Sequence, residues 1–170
     1  TMRRKLPNAH YFVCFDNAYY PYGSKSESDL KERVCTIASR FHDTCQLDVL
    51  VIACNTASTS CLNALREKLS VPVVGVVPAI KTASAASRTH VFGVLATPFT
   101  VQSDYTDDLV RKFAPGCEVI AIGTQKLVEE AENKIYGRTV DLKVISDEVQ
   151  PLVQRANVDS VVLACTHFIH

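Results

Sequence analysis

Two apolar runs, far apart in the chain, end alike. Val49-Leu50-Val51-Ile52-Ala53 gives way to Cys54-Asn55-Thr56, and Val161-Val162-Leu163-Ala164 gives way to Cys165-Thr166-His167. A run that is apolar throughout, rather than at alternate positions, fits a parallel strand covered on both faces. Behind the first run, Ala57, Cys61, Leu62, Leu65 and Leu69 recur at helical spacing, with Asn55 and Thr56 as capping types. Each thiol is therefore expected at the carboxyl end of a parallel strand, the edge where open α/β sheets bind ligands. For Cys54 a helix N-terminus comes at once, which lowers a thiol pKa from its usual ~8.5.

The same alternation runs along the chain. Strands are predicted at residues 10–16, 49–53, 71–77, 90–97, 118–123 and 160–165. Helices are predicted from Ser28 onward (stripe Leu30, Val34, Ile37, Ala38, Phe41), after Asn55, and at 98–113, 126–135 and 140–155. Between Asn17 and Gly23 lies a loop rich in aromatics, with Tyr19, Tyr20 and Tyr22, which is either a packed turn or a wall facing a ligand. Strand and helix in alternation mean an α/β fold with mainly parallel sheets flanked by helices. The small residues between 78 and 88 divide it into two similar lobes, 1–78 and 79–170. A site built from two matching thiols then belongs in the cleft between them.

Composition narrows the partners. Lys plus Arg equals Asp plus Glu at 18 each, and no basic stripe with interleaved aromatics appears, so nucleic acid is not expected. The apolar runs fall far short of the roughly 20 residues a membrane span needs, so no membrane partner is expected. No charged-then-apolar leader opens the chain, and seven cysteines without framework spacing suit reduced thiols; both point to the cytoplasm.

Glycine-rich phosphate loops and the GxSxG elbow are absent, which leaves the chemistry to thiols. A cysteine in an apolar pattern is ordinarily a small core residue, and Cys14, Cys35, Cys45, Cys61 and Cys117 fit that description. Cys54 and Cys165 differ: each closes an apolar run and is succeeded by polar, hydrogen-bonding residues. Cys165, His167 and His170 have zinc-like spacing, but a closed site needs four ligands and only Cys54 could serve as another, so no metal is expected.

Five segments, in order, are similar to the cofactor-independent aspartate/glutamate racemase family. They are Pro21-Tyr22-Gly23-Ser24-Lys25-Ser26, Ile52-Ala53-Cys54-Asn55-Thr56-Ala57-Ser58, Gly75-Val76-Val77-Pro78-Ala79-Ile80-Lys81, Gly93-Val94-Leu95-Ala96-Thr97 with Thr100-Val101, and Ala164-Cys165-Thr166-His167-Phe168. The resemblance implies interconversion of L- and D-glutamate without a cofactor, in the supply of D-glutamate for peptidoglycan. One thiol removes the α-proton while the other delivers a proton to the opposite face, a task served by pKa values near neutrality. It assigns those roles to Cys54 and Cys165, with His167 assisting the second thiol and Glu132 as an auxiliary carboxylate. Read without the family, Glu132 is a solvated helix face beside Glu129 and Glu130. Substrate binding is carried over to Tyr22 with Gly23, Asn55 with Thr56, and Thr166 with His167. The partner implied is glutamate, a small molecule; pairing into a homodimer stays open.

The chain departs from the family in two respects. Thr124-Gln125 stands where a Cys-Pro pair usually opens the helix bearing the auxiliary carboxylate. The family's opening strand with its Asp-Ser-Gly turn, and the elements that follow its second cysteine motif, have no match, so the chain is read as an internal portion of a longer enzyme with little activity alone. Two rival readings stay open: a racemase of the same family acting on aspartate or another small acid, and a non-catalytic α/β binding module.

Overall fold

The computed structural model describes residues 2–170. In chain order the elements are α1 (Met2–Lys5), α2 (Glu27–Cys45), β1 (Leu50–Ile52), α3 (Asn55–Lys68), β2 (Val73–Gly75), α4 (Ile80–Ala86), β3 (Val91–Ala96), α5 (Pro98–Val101), α6 (Asp104–Phe113), β4 (Glu118–Gly123), α7 (Lys126–Ile135), α8 (Leu142–Val153) and β5 (Ser160–Leu163). Short 3-10 turns lie at Asn17–Tyr19, Tyr22–Ser24 and Thr166–Ile169.

The strands form two parallel sheets. In the first, β1 pairs with β2, Leu50 opposite Val73 and Ile52 opposite Gly75. Leu50 and Val73 pack with Leu30, Val34 and Ala38 of α2 and Ala57, Cys61, Leu62 and Leu65 of α3. The second sheet runs β4-β3-β5, and its central strand is buried at every residue. Phe92, Val94 and Ala96 join Ile80, Ala83, Val162 and Ala164 in one core, whereas Leu95 faces Leu127 and Leu152 in another. The parallel α/β architecture expected from the alternation is the one found.

Several boundaries differ from expectation, each for a physical reason. Residues 10–16 form no strand: Phe12, Val13 and Phe15 stand exposed and no described strand pairs with them. Strand propensity needs a partner backbone, and here none lies alongside. The 49–53 run was expected to be covered on both faces, but β1 spans three residues, and Val49 and Val74 are about half exposed. α2 and α3 cover the Leu50/Val73 side only. The helix expected at 98–113 breaks into α5 and α6, because the Ser103 hydroxyl accepts the Thr106 N–H at 3.3 Å and starts a new helix. The helix expected at 140–155 starts later, where the Asp141 carboxylate accepts the N–H groups of Lys143 and Val144. Among the described residues no helix is long and apolar enough to cross a membrane.

Candidate active site

Cys54 comes directly after β1 and is itself the N-cap of α3, so Asn55 and Thr56 belong to the first helical turn rather than capping it. Both are buried. Beneath them the Ser58 hydroxyl donates to the Ile52 carbonyl at 3.2 Å and accepts the Val76 N–H at 3.1 Å, fastening the ends of β1 and β2 to the helix start. Burial raises the Cys54 thiol above its ordinary pKa, while the N–H groups of Ala57 and Thr56 and the Thr56 hydroxyl act in the opposite direction.

Cys165 occupies the matching position after β5, at the head of the turn Thr166–Ile169. Its Sγ lies 3.7 Å from His167 Nδ1, and His167 Nε2 lies 2.6 Å from Glu132 Oε1. With a carboxylate at Glu132, the imidazole donates through Nε2, which leaves Nδ1 as an acceptor facing the thiol. The Glu132 side chain is thus drawn into a Glu–His–Cys chain rather than left on a solvated face. Burial pushes the Cys165 thiol up to about 11 against the N–H groups of His167 and Phe168, and a charge on Cys54 raises it further. The expectation of near-neutral thiols is corrected for both: desolvation outweighs the helix-start amides.

Of the remaining expected residues, Tyr22 packs against the same core as Cys54. Tyr22 donates its hydroxyl to Asp16 Oδ2 at 2.8 Å, and Arg33 clamps the same carboxylate through Nε at 2.9 Å and a terminal nitrogen at 2.6 Å. The phenol is therefore occupied, and its pKa lies above the usual value through burial and the Asp16 contact. Gly23 presses on the second sheet's loop: a Cβ there would stand 2.9 Å from the Thr97 side chain. Thr56 Oγ1 lies 3.0 Å from Thr97 Oγ1 and 3.4 Å from Thr100 Oγ1, a buried hydroxyl triangle joining α3 to the start of α5. Thr166 opens the turn carrying His167.

Asp16, Arg33, Thr97 and Thr100 were missed by the motif reading as site neighbours. Thr97 and Thr100 stand within a matched segment but carry no role assigned from it, whereas Asp16 and Arg33 lie outside the matched segments. Among the described residues no group of three or more His, Cys, Asp or Glu side chains could hold a metal ion. A surface depression lined by Tyr19, Arg33, Ile37 and Arg40 contains neither Cys54 nor Cys165.

Known proteins share this sequence and fold. Glutamate racemase of Pasteurella multocida is 48% identical over 166 residues, covering 98% of this chain and 62% of the relative. That of Yersinia pseudotuberculosis is 48% identical over 168 residues, covering 58% of the relative. The chain spans about three fifths of the length of the curated relatives it matches. The crystal structure of Escherichia coli glutamate racemase, in complex with L-glutamate and the activator UDP-MurNAc-ala, superposes with a TM-score of 0.89 at 44% identity, covering 98% of this chain and 63% of that one. The RacE1 isoform of Bacillus anthracis gives 0.87 at 28% identity, with 99% and 63% covered. The sequence profile of the Asp/Glu/Hydantoin racemases matches residues 1–170. Two cysteines, each two residues beyond the end of a parallel strand, thus sit in a chain that belongs to the Asp/Glu/Hydantoin racemase family.

Proposed function

We propose that this chain carries the two-thiol centre of a glutamate racemase, with lobes 1–78 and 79–170 closing on the substrate between Cys54 and Cys165. One observation carries the reading: Cys165, backed by the His167–Glu132 pair, heads a turn just as a second thiol, Cys54, heads α3.

The chemistry comes from these contacts. A thiolate takes the α-proton and becomes a thiol, leaving the electron pair on the α-carbon conjugated with the carboxylate. The opposing thiol gives its proton to the other face and becomes the thiolate, so configuration is inverted and the enzyme is left ready for the reverse direction. At Cys165, proton transfer to His167 Nδ1 yields the thiolate, and Glu132 steadies the resulting imidazolium. At Cys54, the N–H groups of Ala57 and Thr56 serve the thiolate. A thiol kept neutral by burial is well suited to the acid half of the cycle. The Asn55/Thr56 and Thr166/His167 segments, with the backbone at Tyr22 and Gly23, provide polar groups for two carboxylates. The product would feed peptidoglycan synthesis, in the cytoplasm.

The test, made on the full-length enzyme, is deuterium uptake at the α-carbon of glutamate from heavy water, followed with circular dichroism of the free amino acid. Inversion and uptake with glutamate, lost in both Cys54→Ala and Cys165→Ala, are the expected result. Full activity in either single variant overturns the two-thiol scheme. Uptake with aspartate in place of glutamate reassigns the substrate within the family.

A further inference from the structure

We infer that Tyr20 is a positioning residue for His167: its ring, delivered from the loop before α2, lies against the imidazole and holds it between Glu132 and Cys165. The two ring centroids are 6.3 Å apart and the planes are tilted by 50°. The imidazole is thus fixed at three points, by Glu132 at Nε2, by the Cys165 sulfur near Nδ1 and by Tyr20 on its ring. The histidine and its two polar partners all lie beyond Pro78, whereas Tyr20 comes from the other end of the chain. The contact therefore couples the loop to the second thiol. It builds on the racemase reading only for its effect on turnover.

The loop is anchored on both sides of Tyr20. The Tyr20 N–H bonds the Asn17 carbonyl at the end of the preceding 3-10 turn. Two residues later, Tyr22 is tied to Asp16, which Arg33 of α2 clamps. Tyr19 is covered by Arg33 and Lys25, whose charged groups lie 5.2 and 4.8 Å from its ring centroid. Tyr20 thus has a braced backbone and a ring free to press on the imidazole. It also lies along one face of α7: burial, then Glu132, Glu129, Cys165 and Tyr136, raise its phenol pKa. Glu129, Glu132 and Tyr136 recur at the spacing of one helix face. The phenol accordingly stays neutral beside Glu132. Tyr20 is 47% exposed, so its truncation leaves no cavity in a core.

The experiment compares Tyr20→Phe and Tyr20→Ala with the unaltered protein. The readouts are the ring-nitrogen shifts of His167 by 15N NMR, the alkylation rate of Cys165 relative to Cys54, and kcat and KM for glutamate. Tyr20→Ala is expected to merge the separate Nδ1 and Nε2 signals toward averaged positions and to raise the Cys165/Cys54 alkylation ratio. It should lower kcat about tenfold with KM little changed, the signature of misplaced rather than missing groups. Tyr20→Phe, which keeps the ring, restores all three. Unchanged nitrogen shifts and alkylation ratio in Tyr20→Ala overturn the positioning role, whether or not the protein racemises glutamate. Altered shifts in a full-length protein whose unaltered form shows no α-exchange support the positioning role and overturn the racemase reading.

Discussion

At Cys165 two opposing influences act on one sulfur. Burial removes water from the thiolate, and the N–H groups of His167 and Phe168 only partly replace it, so the thiol titrates at about 11. Iodoacetamide labelling of Cys165 is therefore expected to accelerate about tenfold per pH unit until about pH 11, because only the thiolate reacts. A plateau near pH 8 would contradict the burial argument. The same shift affects stability. A pKa raised in the folded state means that the folded chain holds its proton longer than the unfolded one, so stability falls as pH rises above 9 and levels off near 11. The full loss is on the order of 2–3 kcal/mol, and urea titrations of Cys165→Ala against the unaltered chain should converge across that window. Glu132→Gln keeps the shape of the side chain but removes the charge that steadies an imidazolium. Its kcat is expected to fall roughly 10²-fold, with bound substrate affinity little changed.

At the level of elements, β4 and α7 coincide with their expected ranges, 118–123 and 126–135. There the strand or helix period, the flanking turn residues and the tertiary packing all agree. Agreement fails where a partner decides. Residues 10–16 carry a strand-like run with no backbone beside it, and Ser103 interrupts a continuous apolar stripe because its hydroxyl caps better than it propagates a helix. The junction beneath Cys54 depends on Gly75, where a Cβ would stand 2.9 Å from Ser58 Oγ and 3.0 Å from Leu62. Gly75→Ala must displace the Ser58 hydroxyl and the Leu62 methyls, and the loss by urea denaturation is expected at about 1–3 kcal/mol. A neutral result would show that the Ser58 bridge is not a close fit.

For the whole molecule, long-range contacts bring the candidate centre together. Cys54, Cys165 and His167 were legible because each sits in a local pattern of strand end and polar turn. Glu132 gained its meaning from His167, 35 residues away, and Thr97 from Thr56, 41 residues away. Asp16 likewise needs Arg33, 17 residues on. No periodicity encodes such pairings, so the resemblance alone suggested Glu132, and the motif reading did not single out Asp16. The threonine triangle is the buried polar bond between the part carrying Cys54 and the part carrying Cys165. Thr97→Val removes one corner of the triangle, leaves Thr56 and Thr100 only their 3.4 Å contact and takes the acceptor from the Thr100 N–H, which is expected to destabilise by about 1–3 kcal/mol. The central claim is that the sulfurs of residues 54 and 165 face one space the size of a small amino acid. A short bis-electrophile combined with peptide mass spectrometry tests it most directly. The account predicts one bridged product joining the two cysteine peptides, suppressed by glutamate and lost in Cys54→Ala and in Cys165→Ala. Separate single adducts at both cysteines, with no bridged peptide, would contradict it.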